Sequence, residues 1–120
     1  MSKPDLSWRF GPIDPAAMRT LAEVLHDPNP IHLDARAVKA AGLGDRVINQ
    51  GPANLAYVFN MLEHAGLEAV SLEARFTGNV RSGDDVEALG ALEGESCRFT
   101  LTTGEGLTAI TGSATVRRAP

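Results

Sequence analysis

The sequence has little cysteine and few aromatic residues. Cys97 is the one cysteine among 120 residues, so the chain cannot form an internal disulfide, and a reducing compartment is the expected setting. Cys97 lies in an apolar stretch that favours a strand, where a small core residue is expected. With four Phe, one Tyr and one Trp, few aromatic side chains are available to line a ligand pocket.

An excess of positive charge and a long apolar run are also absent. The formal net charge is −4 and the sequence pI is about 5.3, which argues against a nucleic-acid partner, because such proteins present a basic face. No stretch reaches the roughly 18 apolar residues that a membrane-spanning helix needs. The opening residues contain no apolar segment typical of a secretory signal. The sequence therefore predicts a cytoplasmic protein with no membrane association.

What is present is an ordinary globular composition, with 43% hydrophobic and 22% charged residues. The length is close to the commonest size of one domain. Glycine and proline are spread along the chain, and we find no internal repeat or low-complexity segment. We therefore expect residues 1–120 to form a single domain.

Three helices are predicted in the first half of the chain. Asp14 and Pro15 form a helix start, and a helix is expected over 15–25. A short helix over 34–41 is capped by Asp34. A third helix over 52–65 has apolar residues around nearly its whole circumference, which predicts a buried helix.

The second half favours strands. Alternation of apolar and polar residues predicts strands over 70–77, 86–93, 97–103 and 107–117, and residues 7–13 favour a short edge strand. Helices followed by antiparallel strands indicate the α+β class. The economical arrangement is a sheet of four or five strands wrapped round the one apolar helix.

The stretch Asp-Pro-Asn-Pro-Ile-His begins at Asp27 and ends at His32. Its two prolines restrict their own backbone and that of the residue before each, so the acid and the imidazole stand on a rigid segment. Histidine titrates near neutrality, and a carboxylate beside it can help to move protons. The alternative is ordinary turn chemistry, in which Asp27 caps a backbone N–H and His32 is a structural residue.

This stretch resembles the signature of the MaoC-like (R)-specific enoyl-CoA hydratase family. Two further segments are similar to that family: Arg-Val-Ile-Asn-Gln-Gly-Pro over 46–52, and Arg75-Phe76 followed by Val80 and Gly83-Asp84. The similarity extends over about residues 15–90. It implies the hot-dog fold, an antiparallel sheet wrapped round one long helix, here over 52–65.

The resemblance also implies a lyase activity. In that family an Asp and His pair, here Asp27 and His32, activates a water that adds to C3 of a trans-2-enoyl thioester, giving a (3R)-3-hydroxyacyl thioester. The enolate-like transition state needs a hydrogen-bond donor at the thioester carbonyl, and Gly51 at the start of the buried helix is the expected donor. The substrate-binding residues implied are Asn29, Gln50, Leu55 and Val58.

The family implies no metal and no cofactor for this reaction. The substrate would be a thioester of coenzyme A or of acyl carrier protein, as in fatty acid metabolism, with acyl-CoA the preferred choice. The assembly implied is a homodimer or a dimer of dimers, since pairing two sheets covers exposed edges. His64, late in the long helix, is expected at the surface, interacting with the helix dipole.

The chain departs from the family pattern at three places. Leu25-His26 precedes Asp27, where the family usually has a small residue and glycine. Gln50-Gly51-Pro52 replaces a common His-Gly-Met, and proline removes one backbone N–H. Val38 occupies a position that favours a small residue. These changes point to an unusual acyl group.

Two other functions remain open from the sequence. A hot-dog acyl-CoA thioesterase would hydrolyse the thioester, although the complete Asp-Pro-Asn-Pro-Ile-His stretch argues against it. A non-catalytic acyl-thioester-binding subunit that supports a catalytic partner is the second alternative. The intact Asp27 and His32 argue against it, and the departures at 25–26 and 50–52 keep it open.

Overall fold

The computed structural model describes residues 4–120. In this range the helices are α1 (Pro15–Leu25), α2 (Ala35–Ala40) and α3 (Gly51–His64), and a 3₁₀ turn spans Pro30–His32. The strands are β1 (Leu6–Phe10), β2 (Leu67–Phe76), β3 (Val86–Glu93), β4 (Ser96–Thr103) and β5 (Thr108–Arg118). They form one five-stranded sheet in the order β1-β3-β4-β5-β2, and every neighbouring pair is antiparallel.

Helix α3 lies across this sheet and contacts all five strands. Its buried face carries Val58, Met61 and Leu62. They share the core with apolar residues of the strands such as Leu101 and Ile110, which are fully buried. A sheet wrapped round one helix is the hot-dog arrangement, so the predicted α+β class and hot-dog fold are confirmed.

The prediction that α3 is buried nearly all round is wrong. Ala56 and Phe59 lie on a face that stays exposed, and the Phe59 side chain is 44% accessible. The reason is that the sheet covers only one side of the helix, and the described residues provide no second layer over the other side. Hydrophobic periodicity does not distinguish a helix buried in its own chain from one with an apolar face left open.

Several element boundaries differ by a few residues from the predicted ones. α3 begins at Gly51 rather than Pro52, and β2 begins at Leu67. β1 ends at Phe10, so Pro12 lies beyond the strand. The predicted start of α1 is confirmed, because the Asp14 side chain accepts a hydrogen bond from the Ala16 N–H at 2.9 Å.

Strand β2 forms one edge of the sheet. It is ten residues long and carries two exposed apolar side chains, Val70 at 57% and Phe76 at 53% accessible. A long edge strand with apolar side chains is a template for pairing with another chain.

Candidate active site

The end of α1 fixes the position of Asp27. The helix ends at His26, whose φ of 51° is left-handed. This is the conformation that lets the chain turn back at a helix C-terminus. The Asp27 N–H then donates to the Ala22 carbonyl at 3.0 Å, so the backbone of Asp27 is attached directly to α1.

Side-chain hydrogen bonds shape the turn between Asp27 and His32. The Asp27 carboxylate accepts from the Asn29 N–H at 3.2 Å, and the Asn29 side-chain oxygen accepts from the Ile31 N–H at 3.3 Å. The His32 N–H donates to the Asn29 carbonyl at 3.1 Å. Such short-range bonds, together with the prolines, leave the turn little freedom.

The turn brings Asp27 and His32 together. The His32 Nε2 atom lies 3.7 Å from the Asp27 Oδ2 atom, with 11% of the His32 side chain and 42% of the Asp27 side chain accessible. The other ring nitrogen, Nδ1, lies 2.6 Å from the Ile48 carbonyl oxygen. A carbonyl only accepts hydrogen bonds, so Nδ1 carries the proton, and in the neutral ring Nε2 presents its lone pair towards Asp27.

Asp27 lines a surface depression of about 720 Å³. The depression lies along the last turns of α1 and the turn that follows. Its lining residues are Arg19, Ala22, Glu23, His26, Asp27, Pro28 and Leu33. The carboxylate is therefore open to a small molecule from this side, whereas the His32 ring is largely enclosed.

Gly51 is the first residue of α3. Its φ is not left-handed, and a Cβ added there would meet the Phe76 ring at 3.5 Å, an ordinary contact distance. The packing therefore leaves room for a side chain, but Gly51 is helical and precedes Pro52, and a Cβ before proline disfavours the helical conformation. The first intrahelical bond runs from the Asn54 N–H to the Gln50 carbonyl at 3.1 Å. Consequently the N–H of Gly51 lies ahead of the helical hydrogen-bond ladder.

The four residues predicted to bind substrate lie in different surroundings. Asn29 is exposed and supports the turn, and Leu55 is half-buried on α3. Val58 is fully buried in the core. The Gln50 side chain is also buried and donates to the Met18 carbonyl at 2.8 Å, while its Oε1 atom has no protein partner. Their substrate-binding roles stay predictions.

Sequence reasoning missed a buried polar cluster next to this site. The Asn49 side-chain N–H₂ group donates to the Asn54 Oδ1 atom at 2.8 Å and to the Tyr57 hydroxyl oxygen at 3.0 Å. Burial raises the pKa of Tyr57, and the hydrogen bond from Asn49 opposes this rise. Two asparagines within an otherwise apolar stretch were the sequence signal that could have pointed to the cluster.

No group of three or more His, Cys, Asp or Glu side chains within residues 4–120 is arranged to hold a metal ion. No helix in the same range is long and apolar enough to cross a membrane.

Residues 5–113 match the family model for the MaoC-like domain. The chain belongs to the MaoC-like domain family. No curated protein sequence matches this MaoC-like chain. The family match includes all the elements that carry Asp27, His32 and Gly51.

Solved structures support the same fold. The (R)-hydratase of A. caviae involved in PHA biosynthesis superposes with a TM-score of 0.80 at 23% identity, covering 100% of this MaoC-like chain and 98% of that one. R-hydratase PhaJ1 of Pseudomonas aeruginosa gives 0.74 at 21% identity, with coverage of 99% and 83%. A chain of the ChsH1-ChsH2 complex of Mycobacterium tuberculosis gives a TM-score of 0.73 at 14% identity, and the match covers 98% of this chain and 98% of that one. At these identities the likeness establishes the fold.

Proposed function

We propose that this chain catalyses the reversible hydration of trans-2-enoyl thioesters to (3R)-3-hydroxyacyl thioesters, with acyl-CoA as the substrate. The observation that carries the proposal is the 3.7 Å gap between His32 Nε2 and Asp27 Oδ2. The gap is too long for a direct hydrogen bond and suits a water that contacts both atoms. Family membership supports an activity of the hydratase or dehydratase class.

The two groups that face the gap are both acceptors. The Ile48 carbonyl keeps the proton of the neutral ring on His32 Nδ1, and an ionised Asp27 carboxylate also only accepts. A water that lies to one side of the pair, within hydrogen-bond distance of both atoms, donates both of its hydrogens, which leaves an oxygen lone pair directed outwards. That lone pair attacks C3 of the enoyl thioester.

The proton balance follows from the same arrangement. As the C3–O bond forms, one proton leaves the water to the Asp27 and His32 pair, and the C2=C3 electrons move towards the thioester carbonyl. The pair then delivers one proton to C2, and both side chains return to their starting states. The sum is the addition of one water across the double bond, and dehydration is the reverse.

Gly51 is proposed as the donor to the thioester carbonyl. Negative charge develops on that oxygen in the transition state, where an N–H group at a helix N-terminus stabilises it. The supporting observation is that the Gly51 N–H lies ahead of the helical hydrogen-bond ladder and has no intrahelical acceptor. The following proline already favours glycine here, and the missing side chain would also let a thioester approach the Gly51 backbone.

The remaining parts of the proposal concern the acyl chain and the assembly. The acyl chain would run beside α3, where Leu55 is half-buried. Val58 would contact the acyl chain only if the core opens. Asn29 and Gln50 would support the two ends of the site, at the turn after α1 and at the start of α3. The chain would form a homodimer through β2, whose edge exposes Val70 and Phe76. Residues 1–120 would act as a single domain in the cytoplasm.

The test is a hydration assay that follows the loss of the conjugated enoyl absorbance of crotonyl-CoA. Asp27→Asn and His32→Ala should each lower kcat/KM about 100- to 10,000-fold, because each removes a proton-transfer group. The matched controls are Asp45→Asn and His64→Ala, since both residues are exposed and lie outside the site; they should retain wild-type activity.

Three results would contradict the proposal. Full activity of both site variants would exclude the assigned mechanism. Release of free coenzyme A thiol from acyl-CoA would favour the thioesterase. No turnover by the wild type on short, long and branched enoyl thioesters would favour the non-catalytic subunit.

A further inference from the structure

The 48–51 segment contacts both halves of the proposed site. At one end, the Ile48 carbonyl accepts the hydrogen bond from His32 Nδ1 at 2.6 Å. At the other end, Gly51 begins α3. A shift of this segment would therefore change the His32 ring and the Gly51 N–H together.

Backbone hydrogen bonds hold the segment on two sides. The Ile48 N–H donates to the Ile31 carbonyl at 2.9 Å, next to His32, and the Asn49 N–H donates to the Val80 carbonyl at 2.7 Å. These bonds align the segment between the turn before α2 and the chain that leads to β3. The Asn54 N–H bond to the Gln50 carbonyl at 3.1 Å continues the segment into α3, and side chains reinforce this connection.

The Asn49 side chain adds hydrogen bonds from the segment to α3. It donates to Asn54 at 2.8 Å and to Tyr57 at 3.0 Å, one and two turns into α3. Asn49 is 5% and Asn54 is 3% accessible. A buried amide pair gives little net stability compared with apolar groups of the same shape, because its desolvation offsets its hydrogen bond. Stability alone therefore does not account for two amides here, whereas a need for fixed geometry does.

We propose that Asn49 is a positioning residue, which through Asn54 and Tyr57 holds the Ile48 carbonyl and Gly51 in the geometry that the reaction needs. The inference rests on the proposed hydration for its kinetic consequence. Its structural consequence concerns the His32 ring alone and does not depend on that reaction.

The decisive variant is the double substitution Asn49→Leu with Asn54→Leu. Leucine has nearly the shape of asparagine, and removing both amides leaves no amide without a hydrogen bond. The Tyr57 hydroxyl loses its donor, but Tyr57 is half-buried and its hydroxyl can bond to water, so the double variant should fold with stability near that of the wild type. Asn49→Leu alone should be less stable, because it strands the buried Asn54 oxygen. The matched control is Asn60→Leu, the same change on the same helix outside the cluster.

The first readout is the histidine NMR spectrum of ¹⁵N-labelled protein, with His32 assigned by its loss in His32→Ala. The wild type and Asn60→Leu should show the tautomer with the proton on Nδ1, and the double variant should show a mixture of tautomers with faster proton exchange. An unchanged His32 spectrum in the double variant would overturn the proposal, whatever the rate.

The second readout is the kinetics of crotonyl-CoA hydration. The double variant should lose about 10- to 100-fold in kcat, since a displacement of about 1 Å has effects of this size, while KM changes by less than about 3-fold. A wild-type kcat in the folded double variant would also overturn the proposal. If the wild type itself shows no hydration, the proposed function fails, and the His32 spectrum still decides whether Asn49 positions the ring.

Discussion

His26→Gly should make the protein more stable. His26 closes α1 with a φ of 51°, the one left-handed non-glycine residue within residues 4–120. Its side chain is exposed. A side chain in this backbone region costs about 1–2 kcal/mol, and glycine removes that cost. Relief of backbone strain is therefore the main effect that we expect.

The magnitude follows from two opposing effects. Against the relief stands the greater freedom of glycine in the unfolded chain, about 0.5–1 kcal/mol. The net gain in the free energy of unfolding then lies between about 0 and about 1.5 kcal/mol, and its middle value of about 0.7 kcal/mol corresponds to a rise in Tm of about 2–5 °C for a chain of this length. The assay is thermal unfolding at a fixed protein concentration, because association would also change Tm.

The matched control is His64→Gly. His64 is an exposed histidine in the last turn of α3, where glycine weakens a helix. The same substitution should therefore lower Tm there, by about 1–3 °C. A Tm that is unchanged or lower in His26→Gly, or that moves in the same direction in both variants, would refute the reasoning about the left-handed helix end.

Two further substitutions and one reactivity measurement test the core and the chain around the site. Gly112→Ala should lower the free energy of unfolding by about 1–3 kcal/mol, seen in the urea midpoint, because a Cβ would overlap the backbone carbonyl of Glu73 and lie 2.6 Å from the Phe99 ring. Asp84→Asn should lower it by about 1–3 kcal/mol, since the largely buried Asp84 carboxylate accepts from Arg46 at 2.9 Å. Cys97 should resist thiol reagents at about pH 8 in the native protein, because the thiol is buried and burial raises its pKa.

Each of these expectations has a clear contrary result. A wild-type urea midpoint for Gly112→Ala would mean that β5 is not as close to the Phe99 ring as the packing requires. No loss of stability in Asp84→Asn would show that its hydrogen bonds are replaced by water. Reaction of Cys97 at the same rate in native and urea-unfolded protein would contradict its burial.

The parts of the fold that were predictable depend on short-range chemistry. The start of α1 followed from Asp14 and Pro15, because a capping side chain and a first-turn proline act within a few residues. The strands followed from alternation of side chains. The open face of α3 was not predictable, since the exposed Phe59 has the same hydrophobicity as a core residue and only the position of the sheet shows which side stays uncovered.

In the candidate site, too, the contacts within one short stretch were predictable and those between separate elements were not. The approach of Asp27 to His32 was predictable because both belong to one six-residue stretch whose prolines limit the backbone. The cluster of Asn49 with Asn54 and Tyr57 was missed because its members lie on two elements, and its geometry depends on where α3 begins. The cluster of Asn49, Asn54 and Tyr57 adjoins the segment whose Ile48 carbonyl contacts His32. The six-residue motif is therefore only part of the proposed site.

The contact between His32 and Ile48 explains why the motif alone does not define the chemistry. The group that keeps the proton on Nδ1 is a backbone carbonyl sixteen residues away, and any amino acid at position 48 would supply one. A chain with the same Asp-Pro-Asn-Pro-Ile-His stretch but a displaced 48–51 segment would let the proton move to Nε2. Its Nε2–H would then donate towards Asp27, and in the proposed hydration this would displace the water that donates to both groups. If the proposed hydration is correct, the direction of proton transfer therefore depends on the backbone that enters α3 as well as on Asp27 and His32.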